Sequence, residues 1–236
     1  MANNIKIIKG NIFNSQTQTI VNTVNCVGVM GKGIALVYKL RYPNLFEKYQ
    51  ELCKKRLMDI GKLWLYKEET DAPWVLNFPT KKHWKYPSQY SYIEAGLQKF
   101  VDTYKEKGIK SIAFPLLGAN NGGLDSDKVL NLMTTYLSQC DIPIEIYLYD
   151  ATAKDDLFDC FKLKWNSIPE NQRKLITGIR MQKQINIISD ALNSDDIKSL
   201  IALIEYPGIG LTTMQKCFTL VMSCQKQHQP GLFDTP

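Results

Sequence analysis

The chain has 236 residues, 44% of them hydrophobic, which is enough to form one large domain or one domain with a small extra one. Its formal net charge of +6 permits a phosphate-rich partner without requiring one. The six cysteines form no CxxC pair and there are only two histidines, so neither a metal nor a cofactor is predicted. No apolar run approaches ~18 residues and the N-terminus is unlike a signal peptide, which predicts a cytoplasmic protein with no membrane partner.

Strands and helices alternate in the first two thirds of the sequence. The hydrophobic spacing gives their positions. In chain order, the predicted elements are strands at 5–8 and 19–25, a helix within 33–43 that stops before Pro43, a helix at 44–56, strands at 62–66 and 73–78, a helix at 91–108, a strand at 111–117, a helix at 126–140 with Ser126 as its N-cap, and a strand at 143–149. This alternation predicts an α/β fold with a largely parallel or mixed sheet.

The loops at the carboxyl ends of the strands are the expected functional region, because open α/β sheets bind ligands at that edge. The loops after Asn25, Phe78, Leu117 and Tyr149 are all polar or glycine-rich. We expect them to line one crevice.

Two of these loops carry clusters of glycine before a helix. The first is NCVGVMGKGIAL (25–36) and the second is PLLGANNGGLDSDK (115–128). Glycine lets the backbone turn tightly and bring N–H groups close to a ligand, and helix N-termini attract anions. Two ordinary strand-to-helix turns would give the same pattern, so phosphate binding remains one of two interpretations. Neither loop is a GxxxxGK[ST] phosphate loop or a GxGxxG dinucleotide fingerprint.

The octet NFPTKKHW (77–84) follows the fourth strand, and its proline is expected to turn the chain. Lys81 is either a solvated lysine or one that acts on an anion. Lys82 is a surface or phosphate-contacting lysine, and Trp84 either anchors the loop or stacks on an unpaired base.

The pattern changes after about residue 165. Helical spacing is seen at 180–192, 195–206 and 211–226, and we place the domain boundary near 152–175. The predicted domains are therefore 1–155 and a helical region at 175–236.

The two glycine loops resemble the ligand loops of macrodomains, the ADP-ribose-binding fold. NFPTKKHW followed by IEAGL (93–97) resembles more specifically the macrodomain of DarG-type antitoxins, which remove the ADP-ribose that the toxin DarT places on DNA bases. The resemblance covers residues 1–150, and residues 200–227 resemble weakly the start of the toxin-binding domain of those antitoxins. It implies a three-layer α/β/α macrodomain with a mixed sheet and a shortened helical C-terminal region.

The resemblance also implies the site. Lys81 is similar to the lysine that acts at the anomeric carbon of the distal ribose, and Asp125 to its acid–base or orienting partner. The residues that the resemblance implies as ligand-binding are Asn11, Ile12, Asn22, Asn25, Gly31, Lys32, Gly33, Ile34, Ala35, Thr80, Leu117, Gly118, Asn120, Asn121, Gly122, Gly123, Leu124 and Tyr149. Asn11 stands where the family usually has an aspartate against the adenine amino group, and an amide oxygen can still accept that bond.

The implied activity is hydrolysis of ADP-ribose from DNA bases, with thymine in single-stranded DNA as the expected substrate and a DNA ADP-ribosyltransferase toxin as the partner. The alternatives are a non-catalytic ADP-ribose reader, an antitoxin that acts mainly by binding its toxin, and a hydrolase of protein adducts. The segment Gln229–Phe233 (QPGLF) resembles a short peptide that docks on bacterial sliding clamps, and it is a weak indication only.

Overall fold

The computed structural model describes residues 4–68 and 72–225, and the side chains of 223–225 are excepted. It divides into two compact units, residues 1–150 and residues 151–236. In the described part of the chain no helix is long and apolar enough to cross a membrane, and no three metal-binding side chains cluster. The Gln229–Phe233 segment lies outside the described residues.

The first unit is built on one six-stranded sheet. Its strands are β1 (Ile5–Gly10), β2 (Thr19–Asn25), β3 (Trp64–Tyr66), β4 (Trp74–Lys81), β5 (Ile112–Pro115) and β6 (Ile144–Tyr149). Their order across the sheet is β1-β6-β5-β2-β4-β3, and only β3 runs antiparallel to its neighbour. The predicted mixed sheet is confirmed, and the carboxyl ends of its five parallel strands share one edge.

Helices cover both faces of this sheet, which confirms the predicted three-layer arrangement. These helices are α1 (Gly33–Arg41), α2 (Pro43–Lys54), α3 (Tyr90–Thr103) and α4 (Ser126–Leu137). Side chains of α3 and α4 pack on one face around Phe78 and Phe114. Side chains of α1 and α2 pack on the other around Ile20 and Val75. Because both faces are covered, the central strands β2, β4 and β5 are mostly buried on both sides, whereas the edge strand β1 is partly exposed.

The fourth strand is longer than the sequence suggested. Pro79 does not end it, and β4 continues to Lys81. Proline is tolerated there because β3 ends its pairing at Asn77, so no neighbour needs the missing N–H on that side. A bulge follows, since Val24 pairs with Pro79 but Asn25 pairs with Lys81, which leaves Thr80 as the extra residue.

The helix after the second glycine loop also starts differently. Its N-cap is Asp125, whose side chain accepts a hydrogen bond from the N–H of Lys128, and not the predicted Ser126. Both residue types are good N-caps, so the sequence alone did not separate them.

The second unit is entirely helical in its described part. It contains α5 (Phe158–Ser167), α6 (Arg173–Thr177), α7 (Gln182–Asn193), α8 (Leu200–Glu205) and α9 (Leu211–Gln225), with a short 3-10 helix at Glu170–Gln172. It begins before the predicted boundary, and α5 lies in the stretch that the sequence left between the two domains. The buried carboxylate of Asp155 links the start of α5 to the start of α8. It accepts hydrogen bonds from the N–H groups of Leu157, Phe158 and Leu200.

Candidate functional site

The candidate site lies where the five parallel strands end. We name two segments there: loop 1 is residues 26–32, between β2 and α1, and loop 2 is residues 116–125, between β5 and α4. Lys81 is the last residue of β4, next to β2 in the sheet. The parallel direction of these strands therefore brings loop 1, loop 2 and Lys81 to one edge.

Loop 1 is shaped by the side chain of Asn25. Its Oδ1 accepts hydrogen bonds from the N–H groups of Val27 (3.0 Å) and Val29 (3.3 Å), and its Nδ2 donates to the carbonyl of Val29 (2.6 Å). The hydroxyl of Tyr49 on α2 donates to the Asn25 carbonyl at 2.6 Å. Asn25 was predicted to line a ligand, but its amide is already engaged in holding the loop.

The N-terminus of α1 has the features that favour an anion. The N-cap residue, Lys32, makes no side-chain capping hydrogen bond, and no acidic residue lies in the first turn. The first N–H groups of a helix have no partner inside the helix, and they carry the positive end of its dipole. The predicted ligand residues Gly33, Ile34 and Ala35 supply these groups.

Loop 2 folds tightly on itself. The carbonyl of Gly118 accepts a hydrogen bond from Leu124, and Gly118 and Gly123 have positive φ angles of 68° and 78°. A side chain at Gly122 would place its Cβ 2.1 Å from the Gly118 carbonyl oxygen. Glycine is therefore required at 122 by close packing and at 118 and 123 by conformation.

Lys81 is partly buried, and its ammonium group reaches loop 2. Its Nζ donates a hydrogen bond to the carbonyl of Asn121 at 2.6 Å. Burial lowers the pKa of Lys81 from its ordinary value.

Asn121 connects the three parts of the site. Its carbonyl accepts from Lys81, and its side chain lies against Gly33 at the start of α1. A Cβ at Gly33 would be 2.6 Å from Asn121 Nδ2, and Gly33 has a positive φ of 57°. Loop 1 and loop 2 therefore meet at this pair, beside the lysine.

Asp125 is exposed and serves as the N-cap of α4. Its Oδ1 accepts from the N–H of Lys128 at 2.9 Å, and its own N–H donates to the hydroxyl of Tyr90 at 3.3 Å. No hydrogen bond to its Oδ2 is found within the described residues. The cap therefore fixes the direction of the carboxylate and leaves one oxygen for another partner.

Some predicted ligand residues lie beneath the site rather than on it. Asn22 and Leu117 are fully buried. The Nδ2 of Asn22 donates to Asn77 Oδ1 at 2.9 Å in the middle of the sheet. Thr80 is 5% exposed at the bulge. Because these three side chains are buried, the structure gives no support for direct contact between them and a ligand.

Three predicted ligand residues, Asn11, Ile12 and Tyr149, are at the ends of β1 and β6. Asn11 is buried, and its Oδ1 accepts the N–H of Phe13 at 3.1 Å, which caps a short 3-10 helix at Ile12–Asn14. If the adenine amino group donates to Asn11 as predicted, it shares the Oδ1 acceptor with the N–H of Phe13. Ile12 is buried, and Tyr149 at the end of β6 is half exposed.

Four further predicted ligand residues lie in the two loops. Gly31 and Lys32 are exposed in loop 1, Asn120 is exposed in loop 2, and Leu124 is partly buried there.

Three residues that support the site were missed by the sequence analysis. The N–H of Ser88 donates to the Gly122 carbonyl at 2.9 Å, and so ties the segment after β4 to loop 2. The thiol of Cys26 donates to the Lys81 carbonyl at 3.3 Å, and burial raises the pKa of this thiol to about 11. Tyr49 acts on loop 1 through Asn25. No local motif signals these contacts, because each joins residues far apart in the sequence.

The fold and the site agree with what the chain is similar to. The Macro domain family model matches residues 21–133. The solved macrodomain of Mycobacterium tuberculosis DarG is 42% identical, with a TM-score of 0.58, and the match covers 61% of this chain and 96% of that one. The chain belongs to the macrodomain family. Its macrodomain is therefore of the DarG type that the sequence motifs predicted.

Two further comparisons reach longer proteins. The DNA ADP-ribosyl glycohydrolase of Mycobacterium tuberculosis is 45% identical over 141 residues, which are 58% of this chain and 40% of the relative. A solved structure, Thermosipho africanus DarTG in complex with ADP-ribose, is 39% identical, with a TM-score of 0.60, covering 72% of this chain and 44% of that one. The chain thus spans less than half the length of these relatives.

Replacing Gly122 with alanine should distort loop 2, because the new methyl group overlaps the Gly118 carbonyl. We expect Gly122→Ala to lower the free energy of unfolding by about 1–3 kcal/mol, as overpacking does, measured by urea denaturation. Gly31→Ala is the matched control in loop 1, since its Cβ meets only Val29 at 3.7 Å without a positive φ. Equal stability of the two variants would contradict the close packing of loop 2.

Proposed function

We propose that this macrodomain hydrolyses ADP-ribose from DNA bases, with Lys81 as the group that acts on the sugar. The observation that carries the proposal is the partly buried Lys81 amine, held 2.6 Å from the Asn121 carbonyl between two glycine loops. The activity for which the relatives are named, DNA ADP-ribosyl glycohydrolase, supports this assignment.

In this proposal the pyrophosphate lies at the meeting point of loop 1 and loop 2. The uncapped N-terminus of α1 attracts the negative charge, and the glycines at 33 and 122 let loop 2 fold tightly and lie close to the start of α1. The phosphates then place the distal ribose toward Lys81. The adenine extends toward Tyr149 and Asn11, at the carboxyl ends of β6 and β1, which lie at the opposite end of the strand order from β4.

The lowered pKa of Lys81 favours a covalent route. A neutral amine is a nucleophile, and burial raises the neutral fraction at a given pH. The amine attacks the anomeric carbon while the bond from that carbon to the base nitrogen breaks, and the base nitrogen takes up a proton. Water then replaces the lysine at the anomeric carbon. In both steps, positive charge builds only transiently on the ribose. A permanently charged lysine would instead act by electrostatic stabilisation of the departing base.

The chain is also proposed to act as an antitoxin against a DNA ADP-ribosyltransferase. The support is the relative from Thermosipho africanus, named a DNA ADP-ribosyl transferase–DNA ADP-ribosyl glycohydrolase fusion protein, which is 40% identical over 165 residues. The helical unit, residues 151–236, is the part proposed to contact such a toxin.

Removing the Lys81 amine should stop the reaction. We expect the intact protein to release ADP-ribose from thymine in a single-stranded oligonucleotide, and Lys81→Ala to slow this by about 100-fold or more. Lys81→Arg should be equally slow if the neutral amine is required, because arginine keeps its proton. The assay follows loss of the oligonucleotide adduct with time. Lys110→Ala is the control, since Lys110 is an exposed lysine just before β5.

Two outcomes would contradict the proposal in different ways. An active Lys81→Ala variant would remove the lysine from the mechanism. An intact protein that binds free ADP-ribose by calorimetry but releases none from DNA would be a reader and not a hydrolase.

The two roles of Asp125 can be separated by substitution. Asp125→Asn keeps an oxygen that accepts from Lys128, so its unfolding free energy should match the wild type, whereas Asp125→Ala should lose about 1 kcal/mol. If the carboxylate also moves a proton in catalysis, Asp125→Asn should lower the hydrolysis rate by about 10²–10⁴-fold. Thermal denaturation and the adduct assay measure the two effects. A wild-type rate in Asp125→Asn would leave Asp125 with only the capping role.

A further inference from the structure

A basic aromatic segment follows the candidate catalytic lysine directly. It consists of residues 82–86 (KHWKY), which we call the KHWKY segment. Its Trp84 is 49% exposed and its Tyr86 66% exposed, which is high for side chains of this size. The contacts described for the candidate site do not account for the exposure of these two rings. Their exposure therefore needs an explanation of its own.

The rings of the segment are held together rather than loosely solvated. The His83 ring lies 5.7 Å from the Trp84 ring at an interplanar angle of 26°, and 5.5 Å from the Tyr86 ring. The N–H of Lys85 donates to His83 Nδ1 at 3.2 Å, which fixes the imidazole between them. This arrangement is an ordered aromatic surface and not a random loop tip.

The surface is positively charged. Residues 81–93 contain three lysines and no aspartate or glutamate. Lys85 Nζ lies 5.2 Å from the centre of the Trp84 ring, and Lys82 Nζ lies 5.9 Å from that of Tyr92. Neither ammonium forms an ion pair in the described part of the chain. Exposed rings between uncompensated lysines are the combination with which proteins bind single-stranded nucleic acid, where bases stack and phosphates pair.

The segment is anchored at both ends to the candidate site. The carbonyl of Lys82 accepts the N–H of Cys26, at the end of β2, and the N–H of Ser88 donates to Gly122 in loop 2. Trp84 is three residues from Lys81, so their Cα atoms are at most ~11 Å apart. Because stacked nucleotides of one strand are ~3.4 Å apart, a base one to three nucleotides from the modified one lies within this limit. A strand whose modified nucleotide meets Lys81 can therefore reach Trp84 with a neighbouring one.

We propose that the KHWKY segment binds the single strand on which the ADP-ribosylated base is carried, and so makes single-stranded DNA the preferred substrate. A base next to the modified one stacks on Trp84, and Lys82 and Lys85 pair with phosphates of the strand. The inference rests on the proposed function for the identity of the strand, but its test does not need hydrolysis.

The test measures binding of an unmodified, fluorescently labelled oligothymidylate to the full chain by anisotropy over a range of salt concentrations. Trp84→Ala should weaken binding by about 5- to 100-fold, as loss of one stacked base does, and Trp84→Phe should restore most of it. Lys82→Gln with Lys85→Gln should reduce the slope of log affinity against log salt by about 1.4, or 0.7 per phosphate. The matched control is Lys99→Gln with Lys110→Gln, two exposed lysines late in α3 and just before β5.

Three results would overturn the inference. The first is no binding up to about 0.1 mM at low salt, the weak end of non-specific nucleic-acid affinity. The second is equal affinity of Trp84→Ala and the wild type. The third is an oligoglutamate peptide that binds as tightly and depends equally on Trp84, which would make the segment a surface for acidic proteins. Free ADP-ribose should bind Trp84→Ala normally. An intact protein that binds the strand but releases no ADP-ribose from DNA would reject the proposed function and leave this inference standing.

Discussion

The position of the Lys81 amine, on a partly buried side chain that is hydrogen-bonded to the Asn121 carbonyl, is the constraint on which the candidate site depends. A lysine at the end of a strand would ordinarily extend into solvent and stay charged. Here the bulge at Thr80 carries β4 one residue further, and the carbonyl of Asn121 accepts from the amine. A backbone carbonyl can accept from either protonation state, so it positions the nitrogen without fixing its charge. Burial then lowers the pKa, and no neighbouring carboxylate opposes it.

The two helix N-termini at this edge have opposite electrostatic roles. At α4, Asp125 supplies the capping oxygen, so the helix has little left for an external anion. At α1, Lys32 makes no side-chain cap, so the N–H groups and the dipole remain available. The proposed phosphate position at loop 1 agrees with this difference between the two helices. Asn121, between Gly33 and Lys81, links the anion site with the lysine and makes the geometry of one depend on the other.

The sequence was enough for the fold of the first unit. Apolar spacing identified all six strands and the four helices of the first unit, because both faces of the sheet are covered and every element has a strong pattern. The signal for α5 was also present, since Phe158, Phe161 and Trp165 are buried at helical spacing, but it fell in the stretch taken as a boundary.

Long-range contacts account for what the sequence did not reveal. Pro79 reads as a turn unless one knows that β3 stops before it. The sequence predicts Asn25 as a ligand residue, because it does not show that the Asn25 amide holds loop 1 or that Tyr49 on α2 donates to the Asn25 carbonyl. The burial of Asn22 and the link from Ser88 to Gly122 likewise depend on how distant segments pack. Residue types therefore predicted which side chains are near the site, and packing decided which of them are free to act.

The most direct test of this account is a titration of the Lys81 amine itself, by NMR of protein with labelled lysine side chains and with Lys81→Arg to assign the signal. The account predicts a Lys81 pKa below that of the other lysines, moving back toward them when loop 2 is distorted by Gly122→Ala. A Lys81 signal that titrates together with the exposed lysines would contradict it, because the amine would then be solvated as theirs are.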